Sequence, residues 1–265
     1  MNRLFHPQVG SVFSADIAVP EHERELRFYS RVLTTGSGPL WREDLLNNAG
    51  LPIIGLGPRS DDYAHLPLQW MPHIQVADVG ASVRRALALG GRELMHQVGE
   101  DGTSQWAVLA DPNGAAFGVV PVVSGEALPP AEALPESSRV GHVAWLDLTV
   151  PDAGKAREFY HEVVGWSVED VPMEDGPEPY TDYQMLGQDG SPIARICHAR
   201  GANAGLPPVW LIYLPVGDLE ESLRRAVDEG GKVLKAARDD GGDYVYAVIE
   251  DPVGVPFAII QAKAA

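Results

Sequence analysis

Apolar and polar positions alternate with a period of two from Ser11 to Val19 and again from His142 to Val150, the pattern of half-buried strands. Each stretch ends at a proline followed by an acid, Pro20-Glu21 and Pro151-Asp152, and an acid there favours a helix start. Apolar residues then recur at helical spacing to Leu33 and Val164. Beyond them the spacing returns to strands joined by glycine-containing turns. In the first half these are Leu51 to Leu56 and Met71 to Val76. In the second they are Tyr183 to Leu186, Ile193 to His198 and Leu211 to Val216. Asp78 and Asp218 are placed to cap two further helices, which stop at Gly90-Gly91 and Gly230-Gly231. Two strands close each half: Gln105 to Leu109 with Phe117 to Val120, and Tyr244 to Ile249 with Phe257 to Ile260.

The elements repeat because the sequence repeats. Gly10 to Thr35 matches Gly141 to Trp166, so that Asp16 meets Asp147 and Phe28-Tyr29 meets Phe159-Tyr160. Val76 to Gly91 matches Val216 to Gly231, and the turn Asp111-Pro112-Asn113-Gly114 matches Asp251-Pro252-Val253-Gly254. The chain therefore reads as a tandem duplication in which a βαβββ order occurs four times. The first copy is shortened: Thr34 to Gly50 is nine residues shorter than Gly165 to Gly190, which predicts a trimmed hairpin. The expected domains are 8–122 and 140–262, separated by a Pro-, Ala-, Glu- and Ser-rich linker over 123–139.

Composition narrows the partners. A formal charge of −17 over 265 residues argues against nucleic acid and against an anionic membrane surface. The one cysteine, Cys197, excludes an intrachain disulfide and a cysteine-based zinc site. No apolar run approaches the roughly 20 residues that span a bilayer, and the first ten residues have no secretory apolar stretch. The expectation is a cytoplasmic monomer or homodimer whose partner is a small molecule.

The stretch V-P-D…E-F-Y-H-E-V-V-G-W at Val150 to Trp166 resembles the vicinal-oxygen-chelate superfamily of glyoxalases, bleomycin-resistance proteins and extradiol dioxygenases. So do the D-L-E-E-S-L-R-R-A…G-G helix at Asp218 to Gly231 and D-P-V-G…F-A-I-I at Asp251 to Ile260. Trp70 and Trp210 at their strand starts resemble the two-domain, mycobacterial-antigen-like branch. The resemblance implies an α+β fold in which tandem βαβββ modules form two cup-shaped mixed sheets with helices on the outside. It also implies metal ligands on the first and last strands of each module. Here those positions hold Ser14, Met71 and Gly118 in the first half and Trp145, Leu211 and Ala258 in the second. None suits a divalent cation, so no metal and no cofactor are expected.

Residues two apart on a strand share a face. The inward sets are then Asp16 with Met71, His73 and Gln75, and Asp147 and Thr149 with Leu211 and Tyr213. Asp16/His73 and Asp147/Tyr213 are candidate catalytic pairs, a carboxylate base opposite a hydrogen-bond donor. Trp145, Tyr180 and Tyr183 are candidates to stack a planar ligand, with Arg195 and Ala258 completing the wall. The second cup, with its intact hairpin, is the expected pocket. Cys197 and His198 point to opposite faces and form no nucleophilic pair. Arg84-Arg85 and Arg224-Arg225 read as solvated helix faces. The leading function is metal-independent binding of a hydrophobic or aromatic metabolite. The alternatives are a metal-free isomerase, lyase or cyclase, and a metal-dependent glyoxalase or dioxygenase with displaced ligands.

Overall fold

The computed structural model describes residues 7–48, 50–124, 141–174 and 178–262. The first half contains β1 (Val12–Val19), α1 (His22–Leu33), β2 (Ile54–Pro58), β3 (Met71–Val76), α2 (Val79–Ala88), β4 (Arg92–Val98), β5 (Ser104–Ala110) and β6 (Ala116–Pro121). The second contains β7 (Trp145–Val150), α3 (Ala153–Val164), β8 (Ser167–Met173), β9 (Tyr180–Leu186), β10 (Pro192–His198), β11 (Trp210–Val216), α4 (Leu219–Asp228), β12 (Lys232–Arg238), β13 (Tyr244–Glu250) and β14 (Pro256–Gln261). Two mixed sheets result, ordered β2-β1-β3-β6-β5-β4 and β12-β13-β14-β11-β7-β10-β9-β8. This is the expected α+β architecture of duplicated modules. Most of the expected linker lies outside the described residues.

The sheets differ by two strands because the first half has no counterpart of the β8–β9 hairpin, as its shorter sequence predicts. In its place the chain turns back on itself: Asn47 Oδ1 accepts the Leu51 amide at 2.9 Å, and the Asn47 amide donates to the Leu51 carbonyl at 3.1 Å. That turn uses Leu51, so β2 starts at Ile54 rather than at Leu51. β4, β8 and β12 escape the sequence reading, because their half-buried faces lack a clean alternation of apolar and polar residues. The helix caps are as expected. Asp78 accepts the Ala81 amide and Asp218 the Glu221 amide, each at 2.8 Å.

One face of each sheet packs with all four helices into a single continuous core. The halves interlock across it. The Tyr29 hydroxyl on α1 donates to Asp251 Oδ2 at 2.9 Å and accepts from Trp70 Nε1 at 2.9 Å. The duplicate arrangement places the Tyr160 hydroxyl between Trp210 Nε1, at 2.8 Å, and Asp111. Each aspartate lies in the D-P-x-G turn of the opposite half, where its other oxygen accepts two turn amides. Ring contacts follow the same crossover: Tyr29 meets Phe257 at 4.9 Å and Tyr160 meets Phe117 at 5.1 Å between centroids. Arg225, expected on a solvated face, instead donates across the junction to the carbonyls of Arg31 and Thr34, at 2.9 and 3.1 Å. Those carbonyls lie at the C-terminus of α1, where a cation is favoured.

One difference between the two junctions is a buried acid. Glu25 is fully buried beside Asp251, where the duplicate has Ala156. Neither Glu25 oxygen meets a donor among the described residues, so the carboxyl is best accommodated as a protonated acid facing Asp251. Burial and the Asp251 charge push its pKa up to about 8. In the unfolded chain the group ionises near 4.5. Between these values the folded state holds the extra proton, so stability falls as pH rises from about 4.5 to 8 and is level above. Glu25→Gln keeps a donor toward Asp251 without a titrating proton. Thermal melts should show the variant several degrees more stable at pH 8.5, at roughly 2–4 °C per kcal/mol, with the gap closing toward pH 5.

Candidate functional site

The other face of each sheet lines a cup. In the first, Asp16 projects from β1 and His73 from β3, adjoining strands whose antiparallel register sets Asp16 opposite Met71 and Ser14 opposite His73. The Asp16 Oδ2 to His73 Nε2 distance is 3.4 Å. Two glycines make room for the pair. A Cβ on Gly55 would lie 2.0 Å from Asp16 Oδ1, and one on Gly118 would lie 2.5 Å from the His73 ring. Burial raises the Asp16 pKa, with His73 opposing the shift, and burial lowers that of His73, with Asp16 opposing. Both groups are thereby drawn toward their neutral forms.

The pair borders a cavity of about 510 Å³. Leu56, Leu66, Met71, Met95 and Trp106 supply apolar wall, and Tyr63 and Ser60 contribute hydroxyls. Asp16 is the only acid in the described lining. Gln75, expected here, is not part of it. Its side-chain oxygen accepts the Val123 amide at 2.9 Å and so anchors the end of the sheet.

The second cup places Asp147, Tyr213, Trp145 and Arg195 together, but with a different pattern of hydrogen bonds. Tyr213 donates to Asp147 Oδ2 at 2.6 Å and the Trp145 indole to Oδ1 at 2.7 Å. Burial raises the Asp147 pKa against these bonds and, with the Asp147 charge, pushes the Tyr213 phenol far up, so that it stays a donor. Arg195 pairs in register with Asp147, and its buried Nε has no partner among the described residues. Leu211, Tyr213, Val248 and Ala258 form a small buried cluster against Trp145, Tyr246 and Leu206. Thr149 is buried opposite Cys197, whose thiol burial holds protonated.

Tyr183 departs from its expected place. It packs into the helix-side core with the Arg157 guanidinium 4.9 Å over its ring, so it lines neither cup. Tyr180 contacts His198 and carries Arg200 at 4.7 Å. His198 Nδ1 sits 3.1 Å from the buried Asp182.

The cavity of about 510 Å³ lies in the first cup, and the two cups differ in the size of the side chains they present. Where the first has Gly55, Gly57 and Gly118, the second has Arg195, Cys197 and Ala258. Where the first has Met95, Trp106 and Tyr63, the second has Lys235, Tyr246 and Asn203, with Lys235 bonded to Asn203 at 3.3 Å. Sequence reading missed Met95, Trp106 and Tyr63. The duplication carried the signal: each differs in polarity or size from its counterpart.

Residues 139–259 match the Glyoxalase/Bleomycin resistance protein/Dioxygenase superfamily, and residues 13–120 match a Glyoxalase-like domain. The chain belongs to the glyoxalase superfamily. Among curated relatives, "Anthracycline biosynthesis protein DauV" of Streptomyces sp. (strain C5) is 29% identical over 79% of this chain and 71% of its own. "Putative glyoxylase CFP32" of Mycobacterium tuberculosis is 32% identical over 47% of each. Of solved structures, 2,2',3-trihydroxybiphenyl 1,2-dioxygenase from Sphingomonas wittichii RW1 superposes with TM-score 0.58 at 15% identity, covering 96% of this chain and 90% of that one. A 4-hydroxymandelate synthase variant from Streptomyces coelicolor gives 0.54 at 13% identity, covering 97% and 94%. These likenesses establish the glyoxalase fold.

The superfamily's metal does not fit the donors present. Among the described residues no three His, Cys, Asp or Glu side chains converge. At Gly118 the space of a last-strand ligand is taken by the His73 ring.

The saturated state of Asp147 is measurable. Tyr213→Phe strips one donor from a half-buried carboxylate, which costs about 1–3 kcal/mol. Denaturant unfolding should show that loss at pH 7. It should shrink in acid, where the variant's carboxyl protonates.

Proposed function

We propose that this glyoxalase-fold protein binds a neutral polycyclic aromatic ketone or quinone in the first cup, without a metal. The observation that carries the reading is the cavity itself. Its volume of about 510 Å³ falls within the roughly 300–1,000 Å³ of sites that enclose small organic ligands. Its walls are apolar, with Trp106 available as a stacking surface worth about 0.5–1.5 kcal/mol beyond area burial. One acid at the floor and a net charge of −17 disfavour an anion. Two relatives named for anthracycline biosynthesis, at 29% and 28% identity, support a fused-ring aromatic ligand and a place in secondary metabolism. The donor set supports the absence of a metal from the reading.

The test uses 1,8-dihydroxyanthraquinone as probe, followed by quenching of tryptophan fluorescence. Saturable 1:1 binding is expected, unchanged by EDTA or by added Mn²⁺, Fe²⁺ or Ni²⁺. Gly57 lines the cavity, and a Cβ there would meet nothing within 4 Å. Gly57→Leu should therefore fill the cup without strain, weakening binding at least tenfold while the melting temperature holds. Equal affinity in wild type and Gly57→Leu would refute the assignment of the cup. Metal-dependent binding would refute the metal-free reading.

A further inference from the structure

The duplication supplies an internal control for the carboxylate at the floor of each cup. In the second cup both oxygens of Asp147 are occupied, Oδ1 by the Trp145 indole and Oδ2 by the Tyr213 hydroxyl. In the first, the position of Trp145 is held by Ser14, which has no indole N–H, and that of Tyr213 by His73. His73 reaches Oδ2 alone, at 3.4 Å. Oδ1 of Asp16 overlies the bare Cα of Gly55, and no described donor bonds to it. The Asp16 side chain is 44% exposed and lines the cavity. A carboxylate that is structural in one half therefore presents an unbonded oxygen to the ligand space in the other.

Resting on the ligand reading above, we propose that Asp16 is the general base of a metal-free proton transfer on a carbonyl ligand, with His73 as its positioning residue. Oδ1 takes a proton from the carbon next to the ligand's ketone. The C–H electron pair becomes the new C=C bond, and the carbonyl π pair moves onto oxygen. Asp16 then returns the same proton to that oxygen, or to carbon in the reverse sense. The net change is a keto–enol isomerisation that consumes no oxidant, reductant or co-reactant. The substrate class is a fused aromatic ketone with an acidic adjacent C–H. Burial suits Asp16 to the task by raising its basicity. A neutral His73 holds Oδ2 and leaves Oδ1 free. The other titratable group lining the cavity is Tyr63, from the β2–β3 connection.

2-Tetralone, a fused aromatic ketone with one benzylic methylene directly beside its carbonyl, is the probe. The intact protein is incubated with it anaerobically in D₂O, and loss of the methylene proton signal is followed by NMR. Binding is measured in parallel by displacement of 1,8-dihydroxyanthraquinone. Catalysed exchange is expected to rise with pH as Asp16 ionises. Asp16→Asn should cut it by at least about 100-fold, the usual scale for a positioned base, with affinity kept within a few-fold. His73→Leu should move the midpoint of the pH profile upward, and His73→Gln, which keeps an N–H, should restore it. Binding without catalysed exchange, or full exchange in Asp16→Asn, overturns this proposal and leaves the ligand reading standing. Failure of both probes to bind overturns the ligand reading and this proposal with it.

Discussion

A tyrosine hydroxyl shared between an indole and a carboxylate holds the molecule together, twice. Tyr29 joins Trp70 to Asp251, and Tyr160 joins Trp210 to Asp111. Each set ties the first residue before or on a central strand, a helix, and a tight turn in the opposite half. All three groups are buried, so each bond is worth more than it would be in water, and losing one partner would strand the others. The cups depend on these anchors. Trp70 directly precedes Met71, and β3 carries Met71 and His73 to the cavity floor. The placement of Asp16 against His73 is thus set from the helix side of the sheet.

Duplication then lets the cup faces diverge without disturbing the core faces. On the core side the halves stay alike, with Phe28-Tyr29 answering Phe159-Tyr160 and Trp70 answering Trp210. On the cup side they separate by size and polarity. Glycines at 55, 57 and 118 stand in one cup where Arg195, Cys197 and Ala258 stand in the other. The absent hairpin adds to the contrast, and the chain saved there serves the junction. Trp41 is buried with its indole donating to the Pro215 carbonyl at 2.8 Å, and Thr35 bonds to Ser222 on α4.

Much of this is legible in the amino-acid sequence alone. The repeat marks the four modules, period-two alternation sets Asp16 and Asp147 on the cup faces, and Asp78 and Asp218 announce their helices. The partner of each acid follows from counting along β3 and β11. Tyr183 fails because its strand packs a helix on that face, and a propensity for aromatic residues does not say which face is which. Met95 is missed with β4, an edge strand whose alternation is blurred, and Trp106 because the strand beside that edge does not declare its cup face. Glu25 is missed because an acid in the first turn of a helix is ordinary, although it lies three and four residues before the buried Phe28 and Tyr29. Only comparison with Ala156 exposes it.

The crossover also governs how the chain reaches this state. Neither half completes its own core: Phe28 and Tyr29 meet Phe257 of the second half, and Phe159 and Tyr160 meet Phe117 of the first. A half made alone would uncover two of these rings and leave one turn carboxylate without its phenol. The halves are therefore expected to consolidate as one cooperative unit, since each supplies part of the other's core.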